Sequence, residues 1–284
     1  MGNIPAFLLP NQQSLIEKVI DMRMVMIALA PLLLAACGAP ADNGAANGAI
    51  ANGPAPTATD AATQPIRLTA ADGTKIFGTL YAAPHPRAVI LLFHQAGSGK
   101  GEYATIAPRL VSMGYSALAI DQRSGGSLFG RNETAAAYGR DASYLDAKAD
   151  LQAALEWALP QSKPVILWGS SYSSALVFLV AAENPGKVAG VMAFSPGEYL
   201  GQPTLVRDAA AKLRVPVFVT SAKNADEISA ARDILAAVPG DEKVQAIPQI
   251  AGVHGSSTLI PARDPKGAKD NWRAVSAFLT KTVP

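Results

Sequence analysis

The chain has 284 residues, 49% hydrophobic and 16% charged, which is too apolar and too weakly charged for a disordered chain. Its net charge of +2 offers no electrostatic basis for binding nucleic acid, and a single cysteine excludes an internal disulfide framework and a zinc ribbon. Mean hydropathy is +0.18, and much of the excess sits in one apolar block and in alanine.

That block, Val25 to Ala36, is shorter than the roughly 20 residues a membrane-spanning helix needs. With Arg23 before it, it reads as the hydrophobic region of an export signal. It ends in Leu34-Ala35-Ala36-Cys37, which resembles the lipobox of bacterial lipoproteins. The resemblance implies a lipid on the Cys37 thiol and a mature chain held at a membrane surface, where stable anchoring takes more than one acyl chain. A residue other than Asp after the cysteine, here Gly38, implies the periplasmic face of the outer membrane in a two-membrane bacterium. Residues 1–36 are therefore expected to be signal, with Met22 or Met24 as the working start. Residues 37–64 are mostly Gly, Ala, Asn, Pro and Thr, with almost no charge and no hydrophobic period, a composition that cannot offset its ordering entropy, and are expected to be a tether that starts at the lipidated Cys37.

Residues 65–284 are expected to form one α/β domain. Ile66–Ala70 and Thr74–Tyr81 alternate around Asp72-Gly73 and predict a hairpin. Ala88–Phe93 is continuously apolar, as in a strand buried on both faces. Then follow predicted helix Tyr103–Met113, strand Ser116–Ile120, helix Tyr144–Leu159, strand Pro164–Trp168 and helix Ser173–Glu183. Strands Val188–Phe194 and Val215–Thr220, helix Glu227–Val238, strand Lys243–Pro248 and helix Trp272–Thr280 complete the series. This alternation predicts a mostly parallel sheet covered by helices on both faces, entered through an antiparallel hairpin. Ligands of such sheets sit at the carboxyl ends of the strands.

One strand-to-helix junction reads Gly169-Ser170-Ser171-Tyr172-Ser173. It resembles the nucleophile elbow G-x-S-x-G of α/β-hydrolases, with Ser173 replacing the last glycine. The turn demands small residues two before and two after the nucleophile, so Ser171 is the expected nucleophile; centring on Ser170 would put Trp168 at a tight position. A serine hydroxyl needs a neighbouring base. Of three histidines, His85 lies between prolines before the first buried strand, and His94 follows that strand, where the resemblance implies a residue that orders the loop. His254, in Gly252-Val253-His254-Gly255 after the last strand, occupies the position at which the resemblance implies the base.

The third member should be a carboxylate after Val215–Thr220. Asp226 is the expected acid; Glu227 beside it, readable as a first-turn helix residue, and Glu198 after the previous strand are alternatives. In the commoner family spacing the acid position would fall on Asn224. For the oxyanion hole the resemblance implies the N–H groups of Tyr172 and of Ala96, with Gln95 as the alternative, in His94-Gln95-Ala96-Gly97-Ser98-Gly99. Asp121-Gln122-Arg123-Ser124-Gly125-Gly126 resembles the family's D-x-R-G-x-G loop, implying that Asp121 and Arg123 tie loops together. Leu128, Phe129, Tyr138 and Tyr144 are candidates to line a substrate pocket.

These motifs resemble dienelactone hydrolase-like or small serine esterases of the α/β-hydrolase superfamily over nearly all of residues 65–284. The stretch Ser195–Arg214 is too short for a large helical cap. The implied function is a serine hydrolase cleaving carboxylic esters at the bacterial envelope, on a small acyl substrate, without metal or organic cofactor. A peptidase or amidase on the same fold, or an inactive binding protein, are the alternatives.

Overall fold

The computed structural model describes residues 62–284. The export block, Cys37 and most of the tether lie outside the described residues.

The hairpin consists of β1 (Thr63–Thr69) and β2 (Lys75–Tyr81), antiparallel. Gly73 closes its turn at φ +85°, a conformation open to glycine at little steric cost. Thr63 and Gln64 pair with Tyr81 and Leu80, so they belong to the strand rather than to the expected tether. Next come β3 (Val89–Phe93), α1 (Ile106–Ser112) and β4 (Ser116–Ile120). They are followed by α2 (Glu133–Tyr138), α3 (Lys148–Ala158), β5 (Val165–Ser170), α4 (Tyr172–Glu183) and β6 (Gly190–Phe194). The chain ends with α5 (Leu205–Ala210), β7 (Val217–Thr220), α6 (Ala225–Ala237), β8 (Lys243–Ala246) and α7 (Ala268–Thr282).

The eight strands form one sheet in the order β1-β2-β4-β3-β5-β6-β7-β8, parallel from β4 through β8. Period-two alternation divides its side chains between two buried layers. Val89, Leu91, Phe93, Val165, Leu167 and Val191 face α3, α4, α5 and α6. Ile90, Leu92, Ile166, Trp168, Met192 and Phe194 face α1 and α7. In helix α4 the residues from Tyr172 through Ala181 are all buried. It is packed between the sheet and α3, α5 and their loops, so an apolar surface all round is what its position requires.

Two short helices were not foreseen. Asn132 caps α2, its Oδ1 accepting the Ala135 N–H at 2.8 Å or less (2.7 Å), and Gly139 closes it at φ +68°. In α5, Glu198 accepts the N–H groups of Val206 and Arg207 at the first turn. Six residues are too few for a periodic signal. Between β6 and β7, α5 is the one helix, so no large cap covers the sheet. Among the described residues no helix is long and apolar enough to cross a membrane.

Register fixes where chemistry can occur. Phe93 pairs with Gly169, Ser170 with Phe194, and Phe194 with Thr220. The carboxyl ends of β3, β5, β6 and β7 thus form one edge, and the loops leaving them meet there. His85 precedes β3 and lies at the opposite edge, exposed.

Candidate active site

The β5–α4 junction is a sharp turn. Ser171 has φ 58° and ψ −124°, a combination a side chain adopts only when its surroundings enforce it. Its N–H donates to the Phe194 carbonyl at 2.8 Å, and the Ser171 carbonyl accepts the Ser174 N–H at 2.9 Å. The steric demand read from the sequence is visible at Gly169: an ideal Cβ there would lie 2.3 Å from the Ser173 carbonyl oxygen. Serine at the last elbow position has its own use. Ser173 Oγ lies 2.7 and 2.8 Å from the carbonyl oxygens of Phe93 and His94, bonding the elbow to the end of β3.

Ser171 is 8% exposed, and its Oγ lies 2.8 Å from His254 Nε2. The opposite nitrogen, Nδ1, lies 3.1 Å from Glu227 Oε1. An imidazole that donates from Nδ1 to a carboxylate presents Nε2 as the acceptor for the serine hydroxyl, which is the base geometry. The His254 side chain is 43% exposed, so the site is open to solvent on that side.

The carboxylate beside His254 is Glu227, not Asp226. Helix α6 begins at Ala225 behind the N-cap Asn224, whose Oδ1 accepts the Glu227 N–H at 2.9 Å. Glu227 is then the third helical residue, where a side chain leans back over the N-terminus. Its Oε2 accepts the Ala222 N–H at 2.9 Å, and its Oε1 faces Asn224 Nδ2 at 3.2 Å and the imidazole. Asp226, one residue earlier, is turned about 100° around the helix into solvent. The spacing Asn224-x-x-Glu227 fits an N-cap followed by its third helical residue, whereas from the sequence Glu227 reads only as a first-turn residue favoured by the helix dipole. Burial pushes the Glu227 carboxyl up, but the hydrogen bond and charge of His254, with Ser195 and the Ala222 N–H, hold it down at about 2. Glu198 is committed to the α5 amides and to Arg207, and does not meet His254. Asn224 serves as the cap.

Ser195 was passed over as a loop residue. It follows β6 with φ 55°, and its Oγ accepts the Gly255 N–H at 2.9 Å. It thereby ties the end of β6 to the histidine loop.

Among the described residues neither the Tyr172 nor the Ala96 N–H has a hydrogen-bond partner, whereas the Gln95 N–H donates to Glu102 Oε2 at 2.8 Å. Ala96 and Ser171 each lie just past the paired residues Phe93 and Gly169. His94 is fully buried and reciprocally bonded to Gln122: its N–H donates to Gln122 Oε1, and its Nε2 accepts the Gln122 N–H. Burial pushes its imidazole down to about 4, so it is a neutral strut.

Asp121 accepts from the Lys100 and Glu133 backbone N–H groups and from Lys100 Nζ. Arg123 binds Asp150 through Nε and Nη2 and also contacts Asp72 of the hairpin turn. Tyr144 stacks on Tyr172 at 4.3 Å, so its half-exposed ring lies beside the nucleophile turn. Tyr138 packs under the guanidinium groups of Arg123 and Arg140, and Phe129 under Arg263, while Leu128 is exposed. A cleft of about 420 Å³ between Leu145, Gln152, Glu183 and neighbouring residues contains none of Ser171, His254 or Glu227. Among the described residues no group of three or more His, Cys, Asp or Glu comes together to hold a metal ion.

An eight-stranded sheet of this order, with serine, carboxylate and histidine following β5, β7 and β8 at its carboxyl edge, is the architecture of α/β-hydrolases. The chain belongs to that superfamily: residues 84–256, more than half of it, match the family model Hydrolase_4, described as serine aminopeptidase, S33. The coarse activity is therefore hydrolytic. No curated protein matches the chain. Solved structures share its fold, each over 78% of this chain. A dienelactone hydrolase from Anabaena variabilis is 19% identical and covered over 100% of its length, with a TM-score of 0.60. An esterase from Pyrococcus furiosus is 16% identical and covered over 92%, at 0.59. A thermostable carboxyl esterase from Bacillus coagulans is 12% identical and covered over 99%, at 0.62.

Proposed function

We propose that the chain is a serine hydrolase that cleaves carboxylic esters through an acyl-enzyme. The observation that carries this reading is the relay Ser171 Oγ to His254 Nε2 at 2.8 Å and His254 Nδ1 to Glu227 at 3.1 Å, on a serine held at φ 58°. His254 takes the hydroxyl proton as Ser171 Oγ attacks the acyl carbonyl. Glu227, ionised down to about pH 2, holds the Nδ1–H tautomer and stabilises the imidazolium. The Tyr172 and Ala96 N–H groups receive the oxyanion. His254 then protonates the leaving alcohol, and water releases the acid by the same route. Structural neighbours that are themselves esterases support ester over amide, as does the short β6–β7 connection, which suits an open site and a small acyl substrate.

The test is labelling by a fluorophosphonate probe together with hydrolysis of p-nitrophenyl butyrate. Wild type should do both, and Ser171→Ala and His254→Ala neither. Folded wild-type protein that does neither would favour an inactive binding protein. The family description favours one further reading, an aminopeptidase. A kcat/KM larger for alanine p-nitroanilide than for the butyrate ester would establish it.

Lipid attachment at Cys37 and placement at the bacterial envelope are supported by the Leu34–Cys37 tetrapeptide and the apolar block before it. Metabolic labelling with a palmitate analogue, lost in Cys37→Ser, tests them.

A further inference from the structure

Behind the elbow lies a carboxylate that the proposed mechanism does not use. Glu102, in the 3₁₀ turn Lys100–Tyr103, is 1% exposed, and no cation pairs with it among the described residues. Burying such a group without a cation is costly, so its hydrogen bonds carry the account. Its Oε2 accepts the Gln95 N–H at 2.8 Å, and its Oε1 accepts the Ser170 hydroxyl at 2.7 Å. Ser170 Oγ in turn accepts the Ser256 N–H at 2.8 Å.

Each contact lands next to a working group. Gln95 precedes Ala96, whose N–H is left free; Ser170 precedes Ser171; Ser256 follows His254 by two residues. The three segments also touch directly, for an ideal Cβ on Gly255 would lie 2.5 Å from Ser170 Oγ and 3.0 Å from Gln95 Oε1. Trp168 Nε1 donates to Ser256 Oγ at 2.9 Å, tying the same point to β5.

We propose that Glu102 is the positioning residue of this site: through Gln95, Ser170 and Ser256 its buried carboxyl sets the oxyanion loop, the nucleophile turn and the histidine loop in register with one another. Occupying the Gln95 N–H also selects Ala96 as the free donor. The inference rests on the serine-hydrolase reading.

The discriminating pair is Glu102→Gln and Glu102→Leu, read as kcat and KM on p-nitrophenyl butyrate. Glutamine keeps both contacts, its Oε1 accepting the Gln95 N–H and its Nε2 donating to Ser170 Oγ. Leucine has a similar volume and keeps neither. Glutamine should hold kcat within about threefold. Leucine should lower kcat roughly 30-fold at a KM changed less than threefold, because a displaced oxyanion donor is missed only in the transition state. A mere core-filling role would show no rescue by the amide and no such split. A folded leucine variant losing less than tenfold in kcat, or a glutamine variant losing more than threefold, overturns the proposal. Should leucine not fold, Ser170→Ala cuts the link to the histidine loop while leaving Glu102 on Gln95. A kcat loss of about tenfold at constant KM supports the proposal, and a loss under threefold overturns it. Wild type inert to both ester and fluorophosphonate would sink the hydrolase reading instead, so the two failures are distinguishable.

Discussion

Glu102→Gln has a second consequence, in stability rather than rate. Burial raises the Glu102 carboxyl from an ordinary 4.5 to about 7, against the opposing pull of its hydrogen bonds and of His254. Between those values the folded chain holds a proton that the unfolded chain has released. Stability therefore falls as pH rises from about 4.5 and levels off above about 7. At roughly 1.4 kcal/mol per tenfold in proton affinity, the full loss is about 3 kcal/mol. Integrated between pH 5 and pH 8 it is about 2.5 kcal/mol. The glutamine variant has no such proton to lose. Three titratable groups face the carboxyl: His254 from its loop, Tyr103 from the same turn, and Tyr172 from α4. Burial keeps both phenols neutral throughout this range. The assay is urea unfolding of both proteins at unit steps from pH 5 to pH 8. Wild type should lose about 2.5 kcal/mol relative to the variant, most of it before pH 7. Two stability curves that stay parallel within about 0.5 kcal/mol would refute the reasoning, because the carboxyl would then titrate alike in both states.

The assignment of the acid is tested by exchange. Glu227→Gln should lower kcat roughly 10³-fold or more by losing the imidazole tautomer, whereas Asp226→Asn should stay within twofold. Glu198→Ala should likewise leave kcat within twofold while costing about 1 kcal/mol in thermal or urea unfolding, as removal of a helix-start acceptor does. Gly169→Ala drives a methyl into the Ser173 carbonyl and should destabilise by about 3 kcal/mol, with activity lost alongside; an unchanged melting temperature would contradict the tight-turn account. Since Glu227 titrates at about 2, the pH profile of kcat/KM should show no inflection from it above pH 3, and an added inflection near pH 4 that vanishes in Glu227→Gln would count against its ion pair with His254.

Local pattern made much of this protein legible. Continuous apolar runs mark β3 through β6 because both faces of those strands are buried, and the hairpin shows in its alternation around Asp72-Gly73. The elbow is readable because its tight turn excludes side chains at Gly169, a steric rule that acts within five residues. Ser171 and His254 could be picked out by residue type and by place in the strand order, and the structure brings their side chains to 2.8 Å.

Choosing between Asp226 and Glu227 depended on where the helix starts. Adjacent carboxylates differ by a third of a helical turn, so the helix start at Asn224 decides which one faces the histidine. Ser195 and Glu102 were hidden for a different reason. Neither belongs to a local motif, and each matters through a partner far along the chain: Gly255 for Ser195 and Ser170 for Glu102. By itself, then, the sequence determined the strand order, the longer helices, the tight turn at Ser171 and the place of the His254 loop, since backbone sterics and hydrophobic period act between near neighbours. Only the tertiary structure decided which carboxylate completes the relay and which buried groups hold its parts together, because hydrogen bonds across parallel strands depend on register between segments remote in sequence.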